Sequence, residues 1–218
     1  MASGCCSFGD TAERKFNAKR AAQDLARYRA NGPNRTTALL RDGLAEAAHL
    51  HGSLLDVGAG VGALTFELLD LGMNQAIVVE ASRAYLASAF QEAERRGRAG
   101  VTQFVHGDFL SVASGIGDAT VVTLDRVICC YPEFAVLLEE VLCHAQLYFA
   151  FSYPRDVWHV RAALAVENGL RALASKPFRA FVHPPDQMER IIKKAGFRLT
   201  SRSRTWTWCV DVYNRLGS

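Results

Sequence analysis

Residues 54–62 read Leu-Leu-Asp-Val-Gly-Ala-Gly-Val-Gly and join a short apolar run to a stretch with helical periodicity. Such an apolar run followed by closely spaced glycines predicts a buried strand, a tight turn and then a helix. Glycine reaches positive φ and has no β-carbon, so a ligand can approach the backbone of this turn closely. The turn follows the carboxyl end of its strand, which is where open α/β sheets bind ligands.

Apolar runs alternate with helical stretches along the rest of the chain. The runs lie at residues 53–57, 76–79, 101–105, 119–124 and 146–151. Continuous apolar strands separated by helices are typical of a parallel sheet that is covered on both faces. Two further strands, near residues 198–203 and 205–213, are close enough in sequence to form an antiparallel hairpin. The prediction is an α/β fold with a doubly wound, mostly parallel seven-stranded sheet and a C-terminal antiparallel hairpin.

The N-terminal segment differs from this pattern because it contains only polar amphipathic helices, near residues 11–30 and 35–49. We therefore expect two units, an N-terminal helical cap over residues 1–50 and a Rossmann-like domain over residues 51–218. Near the C-terminus, Arg198, Arg202 and Arg204 are interpreted as solvated residues of an edge strand, since basic residues commonly protect strand edges.

Composition and charge limit the classes of function. Among the 218 residues, 50% are hydrophobic and 22% charged, and the net charge is +3, which is too small an excess to indicate nucleic acid. A membrane span is not expected, because the chain has no apolar run of about 18 residues. The six cysteines form no CxxC pair and residues 1–6 do not resemble a secretory signal. We predict a cytoplasmic protein with free thiols, no metal site and a homo-oligomeric state left open.

Glycine spacing separates two classes of nucleotide site. Here Asp56 leads into Gly58, Gly60 and Gly62 in a GxGxG arrangement, whereas dinucleotide sites favour GxGxxG. Glu80 ends the next predicted strand, where a carboxylate can accept hydrogen bonds from both hydroxyls of a ribose.

This pattern resembles motif I of the Rossmann-like, class I S-adenosylmethionine-dependent methyltransferases, and the resemblance covers about residues 53–213. The chain is also similar to sequences grouped with magnesium-protoporphyrin O-methyltransferases. The resemblance implies S-adenosylmethionine as cofactor, and it implies a contact between Asp108 and the adenine amine. The implied cofactor-binding residues are Asp56, Gly58, Gly60, Gly62, Glu80, Asp108, Phe109 and Asp125.

Catalytic candidates follow the fourth predicted strand, in the family's position facing the methyl group. The segment at residues 125–132 reads Asp-Arg-Val-Ile-Cys-Cys-Tyr-Pro. Asp125 is a candidate general base, or a helix cap. Tyr131 could orient a substrate, or act as a base if its pKa were lowered. Cys129 and Cys130 could contact a soft substrate, with Cys130 as a catalytic candidate, or be small buried hydrophobic residues.

Further substrate-binding candidates lie outside this segment. Arg155 could bind an anionic group in bidentate fashion or pair with a nearby acid. His159 could serve as a base near neutral pH or be structural. Tyr28 and the Cys5-Cys6 pair would approach the substrate if the N-terminal segment closes over the site. Residues 176–185 are rich in aromatic, proline and basic residues and could form part of a lid.

The leading functional hypothesis is methyl transfer from S-adenosylmethionine to a small molecule. The adjacent cysteines motivate a small thiol or sulfide acceptor, that is, S-methylation. The alternatives are O-methylation of a carboxylate such as a porphyrin propionate, and methylation of RNA or protein. A nicotinamide-dependent oxidoreductase and a non-catalytic cofactor-binding protein are the remaining hypotheses.

Overall fold

The structure is a computed structural model that describes residues 8–47 and 50–217. Cys5 and Cys6 lie outside the described residues. The helices are Phe8–Lys15 (α1), Ala18–Asn31 (α2), Arg35–Ala47 (α3), Ala63–Asp70 (α4), Arg83–Arg95 (α5), Phe109–Val112 (α6), Phe134–His144 (α7), Trp158–Leu173 (α8) and Pro185–Lys194 (α9). The strands are Ser53–Val57 (β1), Gln75–Glu80 (β2), Thr102–His106 (β3), Ala119–Leu124 (β4), Ala145–Pro154 (β5), Phe197–Arg204 (β6) and Trp208–Arg215 (β7).

The strands of the described residues form one seven-stranded sheet in the order β3-β2-β1-β4-β5-β7-β6. Strands β1 to β5 pair in parallel, and β7 runs antiparallel to both β5 and β6. This arrangement confirms the predicted α/β fold, its mostly parallel sheet, its C-terminal hairpin and its N-terminal helices.

Side chains that alternate along the strands build a hydrophobic core on each face of the sheet. Leu54 packs on one face with side chains of α2 to α5, and the neighbouring Leu55 packs on the other face with α6, α7 and α9. Both leucines are fully buried. Because both faces are covered, the strands are apolar along their length, which explains why the sequence shows continuous apolar runs.

Residues 8–31 form two helices, α1 and α2, where the sequence pattern predicts one helix near residues 11–30. Asn17 separates α1 from α2, and its side chain accepts a hydrogen bond from the backbone N–H of Arg20 at 3.1 Å. This is an ordinary N-cap, which favours a new helix start over continuation of the preceding helix. The break lets α1 lie across the start of α5, where the Ser82 hydroxyl donates to the Phe16 carbonyl at 2.5 Å.

The edge strand β6 holds one arginine in an ion pair. Arg202 donates two hydrogen bonds to Asp211 of β7, at 2.7 and 2.8 Å. Asp211 is 1% exposed and also accepts from the hydroxyls of Tyr153 and Tyr213. Arg202 therefore compensates a buried charge, a role beyond the solvated edge position that the sequence suggests.

Among the described residues, no helix combines the length and the apolar character that crossing a membrane requires.

Candidate active site

The glycine turn between β1 and α4 adopts left-handed backbone angles. Gly58 has φ of 68° and Gly60 has φ of 60°, a region that residues with a β-carbon rarely adopt. A β-carbon at Gly58 would lie 2.5 Å from Val127 Cγ2, whereas at Gly60 the nearest atom would be Tyr85 Cδ1 at 3.6 Å. Gly58 is thus required by protein packing, while Gly60 borders open space that a ligand can enter.

Asp56 lies beneath this turn and is 1% exposed. Its two carboxylate oxygens accept hydrogen bonds from the hydroxyls of Thr65, at 2.6 Å, and Thr123, at 2.8 Å. Burial raises the pKa of Asp56 to about 7, although both hydroxyl hydrogen bonds act in the opposite direction. Asp56 therefore ties β1 to α4 and β4, and fixes the position of the turn.

Glu80 holds the turn from the end of β2. One of its carboxylate oxygens accepts from the Gly60 N–H and the other from the Ser82 N–H, each at 2.9 Å. Glu80 is 7% exposed, and burial raises the pKa of its carboxyl while the backbone hydrogen bonds lower it. The carboxylate and the glycine turn therefore form one rigid corner.

Asp108 and Tyr131 meet at the carboxyl ends of β3 and β4. The Tyr131 hydroxyl donates to Asp108 at 2.5 Å. Burial, followed by the charge of Asp108, raises the pKa of Tyr131. That direction is the opposite of what a general base needs, so Tyr131 serves here as a hydrogen-bond donor. Phe109, next to Asp108, is buried and lines the hollow described below.

Asp125 follows β4 and is held by two hydroxyls from different elements. Thr37 of α3 donates to Oδ2 at 2.5 Å, and Ser152 of β5 donates to Oδ1 at 2.6 Å. The next residue, Arg126, has φ of 61°, and its N–H also donates to the Ser152 hydroxyl. The strained turn and the two donors fix the direction of the Asp125 carboxylate.

The two cysteines after β4 lie side by side. The Sγ atoms of Cys129 and Cys130 are 3.9 Å apart, and each lies within 4 Å of the Arg126 carbonyl oxygen. Cys129 is 6% exposed. The neighbouring Cys129 thiol and burial raise the pKa of Cys130, so its thiol stays protonated near neutral pH.

Two adjoining hollows open at the carboxyl edge of the sheet. The smaller has about 590 Å³ of empty space and the larger about 1350 Å³. The hollows adjoin, because both are lined by Asp24, Gly58, Gly60, Tyr85, Asp125 and Arg126. Of the residues expected from the sequence, the larger hollow is lined by Gly58, Gly60, Glu80, Phe109, Asp125, Cys129, Cys130 and Tyr131.

Four other candidates, Tyr28, Gly62, Arg155 and His159, do not line the larger hollow. Tyr28 lines the smaller hollow, and its hydroxyl donates to Glu67 at 3.0 Å. Gly62 begins α4 and lies against Phe66. Arg155 donates to the carbonyls of the turn between β6 and β7, and His159 stacks on Trp206 with ring centroids 5.0 Å apart.

Several residues of the walls were not singled out from the sequence. They come from α1, α2, α5, α8, β7 and the link between α1 and α2, and are Lys15, Phe16, Asp24, Tyr85, Arg171 and Trp208. Phe178, within the segment expected to form a lid, also lines the larger hollow. None of these residues belongs to a local motif, because each enters the site only through the packing of its element.

Comparisons with known proteins identify the class of this site. Residues 55–144 match the family model described as a methyltransferase domain. Within this range lie the glycine turn, Glu80, Asp108 and Asp125, at or just after the ends of β1 to β4. This match, over 90 of the 218 residues, agrees with the resemblance of the glycine turn to class I methyltransferases. One structure of similar fold, described next, holds SAH, which agrees with S-adenosylmethionine as the expected cofactor.

Solved structures show the same fold. Magnesium protoporphyrin IX methyltransferase (ChlM) from Synechocystis PCC 6803 with bound SAH has a TM-score of 0.63 at 18% identity, covering 98% of this chain and 90% of that one. An O-methyltransferase family protein from Burkholderia thailandensis has a TM-score of 0.72 at 13% identity, covering 93% of this chain and 62% of that one.

A third similar structure is a complex. The Haloferax volcanii Trm112 methyltransferase activator with the putative methyltransferase gives a TM-score of 0.70 at 14% identity, covering 94% of this chain and 97% of that chain. No curated protein matches the sequence at a significant level. The likeness to all three structures is therefore one of fold.

Proposed function

We propose that this methyltransferase transfers the methyl group of S-adenosylmethionine to a small molecule that binds in the larger hollow. The observation that carries the proposal is the continuity of the site. The glycine turn and Glu80 form one wall, and the same hollow extends past Asp125 to the side chains of α1 and α8. One cavity therefore offers space for a cofactor and for an acceptor beside it.

The residues at the glycine turn fit an adenosine-containing cofactor. Gly60 borders open space that a β-carbon would enter. Each oxygen of the Glu80 carboxylate accepts one backbone N–H and retains a lone pair that can accept from a ribose hydroxyl. Phe109, which follows β3 and lines the larger hollow, would contact the adenine, and Asp108 beside it would accept from the adenine amine, as the resemblance implies. Asp56 would contribute by fixing the turn, and Gly62 by starting α4.

The cofactor supplies a methyl group on a positively charged sulfur, already activated for in-line transfer. The protein's part is to orient the acceptor, exclude water and accept a proton where the acceptor has one to lose. Asp125 is the carboxylate best placed for that proton, because it lies where the two hollows join. Tyr131 and Cys130 would shape the wall around the reacting atoms.

The N-terminal helices would act as a cap over the cofactor. Arg29 of α2 donates to Glu92 of α5 at 2.8 Å, and the Tyr85 hydroxyl donates to Asp24 of α2. These contacts hold α2 against α5, and Tyr28 of α2 lines the smaller hollow. A cap made of residues 1–50 would exclude water from the methyl group.

Two acceptor chemistries compete. A thiol or sulfide acceptor would find Cys129 and Cys130 as soft neighbours. A carboxylate acceptor, such as a porphyrin propionate, would find basic side chains in the same hollow, including Lys15, Arg126 and Arg171. Four acidic side chains, Asp24, Glu80, Asp125 and Glu167, balance the four basic ones in the wall of this hollow. The carboxylate is favoured only by the local grouping of Lys15 and Arg171 beside Phe178. Methylation of RNA or protein is the alternative that the test must exclude.

The test measures S-adenosylhomocysteine released from S-adenosylmethionine with hydrosulfide, small thiols, aromatic carboxylates, porphyrins or total RNA as acceptors. We expect release with a small carboxylate acceptor and little with RNA. Binding of S-adenosylhomocysteine to the wild type, measured by calorimetry, is the prior requirement. A folded protein that does not bind it would contradict the proposal.

A further inference from the structure

A pair of cations and an aromatic ring form part of the wall of the larger hollow. The Lys15 Nζ lies 5.7 Å from the centre of the Phe178 ring, and the Arg171 guanidinium carbon lies 5.1 Å from the same centre. Phe16 packs edge-on against Phe178 at 5.6 Å. Cation–π contact thus holds two positive groups from α1 and α8 near one ring.

The positive charge of this cluster is only partly compensated. Arg171 donates through Nη2 to Glu167, but its Nη1 is buried and has no hydrogen-bond partner among the described residues. Lys15 forms no ion pair with a described residue, and burial followed by the charges of Arg171 and Arg20 lowers its pKa. A buried, unpaired guanidinium nitrogen costs free energy unless an acceptor reaches it.

The cluster is fixed relative to the proposed methyl-transfer site. Asn168 of α8 donates to the Ala180 carbonyl at 2.7 Å and accepts from the Ala180 N–H at 3.1 Å. The next residue, Phe181, donates its N–H to the Cys129 carbonyl at 2.8 Å. The chain that carries Phe178 therefore connects α8 to the segment after β4 through hydrogen bonds of its backbone.

We propose that Lys15 and Arg171 bind an anionic group of the methyl acceptor, while the apolar part of the acceptor lies against Leu164 and Trp208. Both apolar residues line the same hollow. A carboxylate would supply the hydrogen-bond acceptor that Arg171 Nη1 lacks. The inference rests on the proposed function, because it gives the acceptor its chemical class, an anion with an apolar body.

The experiment compares two probes of similar shape and different charge, cinnamate and the neutral cinnamamide. Each is titrated into protein saturated with S-adenosylhomocysteine, and binding is followed by ligand-observed NMR. The variants are Lys15→Gln and Arg171→Gln, with Arg190→Gln as control, because Arg190 is an exposed arginine of α9 outside both hollows. Lys15→Gln is the informative variant if Arg171→Gln fails to fold.

We expect cinnamate to bind the wild type about tenfold more tightly than cinnamamide, and each site variant to remove that preference. Arg190→Gln should retain it. Equal affinity for the two probes, binding of neither, or a preference that survives both site variants would overturn the inference. Wild-type binding of S-adenosylhomocysteine is measured in the same samples, so its absence would instead identify a failure of the proposed function.

Discussion

Thr37 of α3 donates a hydrogen bond of 2.5 Å to Asp125 at the end of β4, joining an N-terminal helix to the centre of the site. Ser152 of β5 holds the other carboxylate oxygen at 2.6 Å. The direction of the Asp125 carboxylate is therefore set by two elements that are remote from it in sequence. Removing either hydroxyl should therefore weaken binding of the cofactor.

Thr37→Val removes one of these donors with little change in volume. Because the variant leaves the Asp125 carboxylate free to turn away from its observed direction, we expect the affinity for S-adenosylhomocysteine to fall by about tenfold, or about 1.4 kcal/mol. Calorimetric titration measures the effect. Thr36→Val is the matched control, since the Thr36 hydroxyl donates to Asn34 instead. A similar loss in both variants would argue that α3 as a whole, and not the contact with Asp125, matters.

Gly60→Val should abolish binding of S-adenosylhomocysteine. Valine is strained at the φ of 60° observed here, and its side chain would enter the space beside Glu80. Gly97→Val is the control, because Gly97 has φ of 67° and no atom within 4 Å of an added β-carbon. Circular dichroism establishes that both variants fold. Unchanged affinity in a folded Gly60→Val protein would refute the assignment of the turn.

Asp56→Asn tests the pH dependence of stability. The pKa of Asp56 is about 7 in the folded protein, against an ordinary value of 3.8. The folded state therefore binds more protons between these values, and the free energy of unfolding should fall as pH rises through that window. Asparagine removes the titration, so its unfolding free energy should change less from about pH 4 to about pH 8 in urea denaturation. Parallel curves for both proteins would contradict a raised pKa.

Arg202→Met should destabilise the fold by about 2–3 kcal/mol, because it leaves the Asp211 carboxylate buried without its cation. Arg202 has a side chain that is 28% exposed, which limits the loss. Urea denaturation gives the free energy, and Arg204→Met serves as control on the same strand. Adding Asp211→Asn to Arg202→Met should recover part of the loss. A double variant less stable than the single would show that the carboxylate is held mainly by other donors.

Local sequence patterns predicted the class of fold and the glycine wall of the site. The reason is that motif I combines a strand, a turn and a helix start within a few residues. Local backbone preference is therefore enough to predict a tight turn at Gly58 and Gly60. Glu80 was predictable because parallel strands bring their carboxyl ends to the same edge. For Tyr131, the sequence left open whether the side chain orients a substrate or acts as a base, and the raised pKa beside Asp108 argues against the base.

The amino-acid sequence by itself determined that this is an α/β protein with a glycine turn after its first strand. Apolar periodicity and glycine spacing are signals carried by residues that are close together in the chain. Only the tertiary structure brought Lys15 and Arg171 to the same Phe178 ring, and Thr37 to Asp125. These contacts join residues far apart in the chain, and no local preference encodes them. They depend on how helices pack against a sheet, a balance of burial and hydrogen bonding summed over the whole domain.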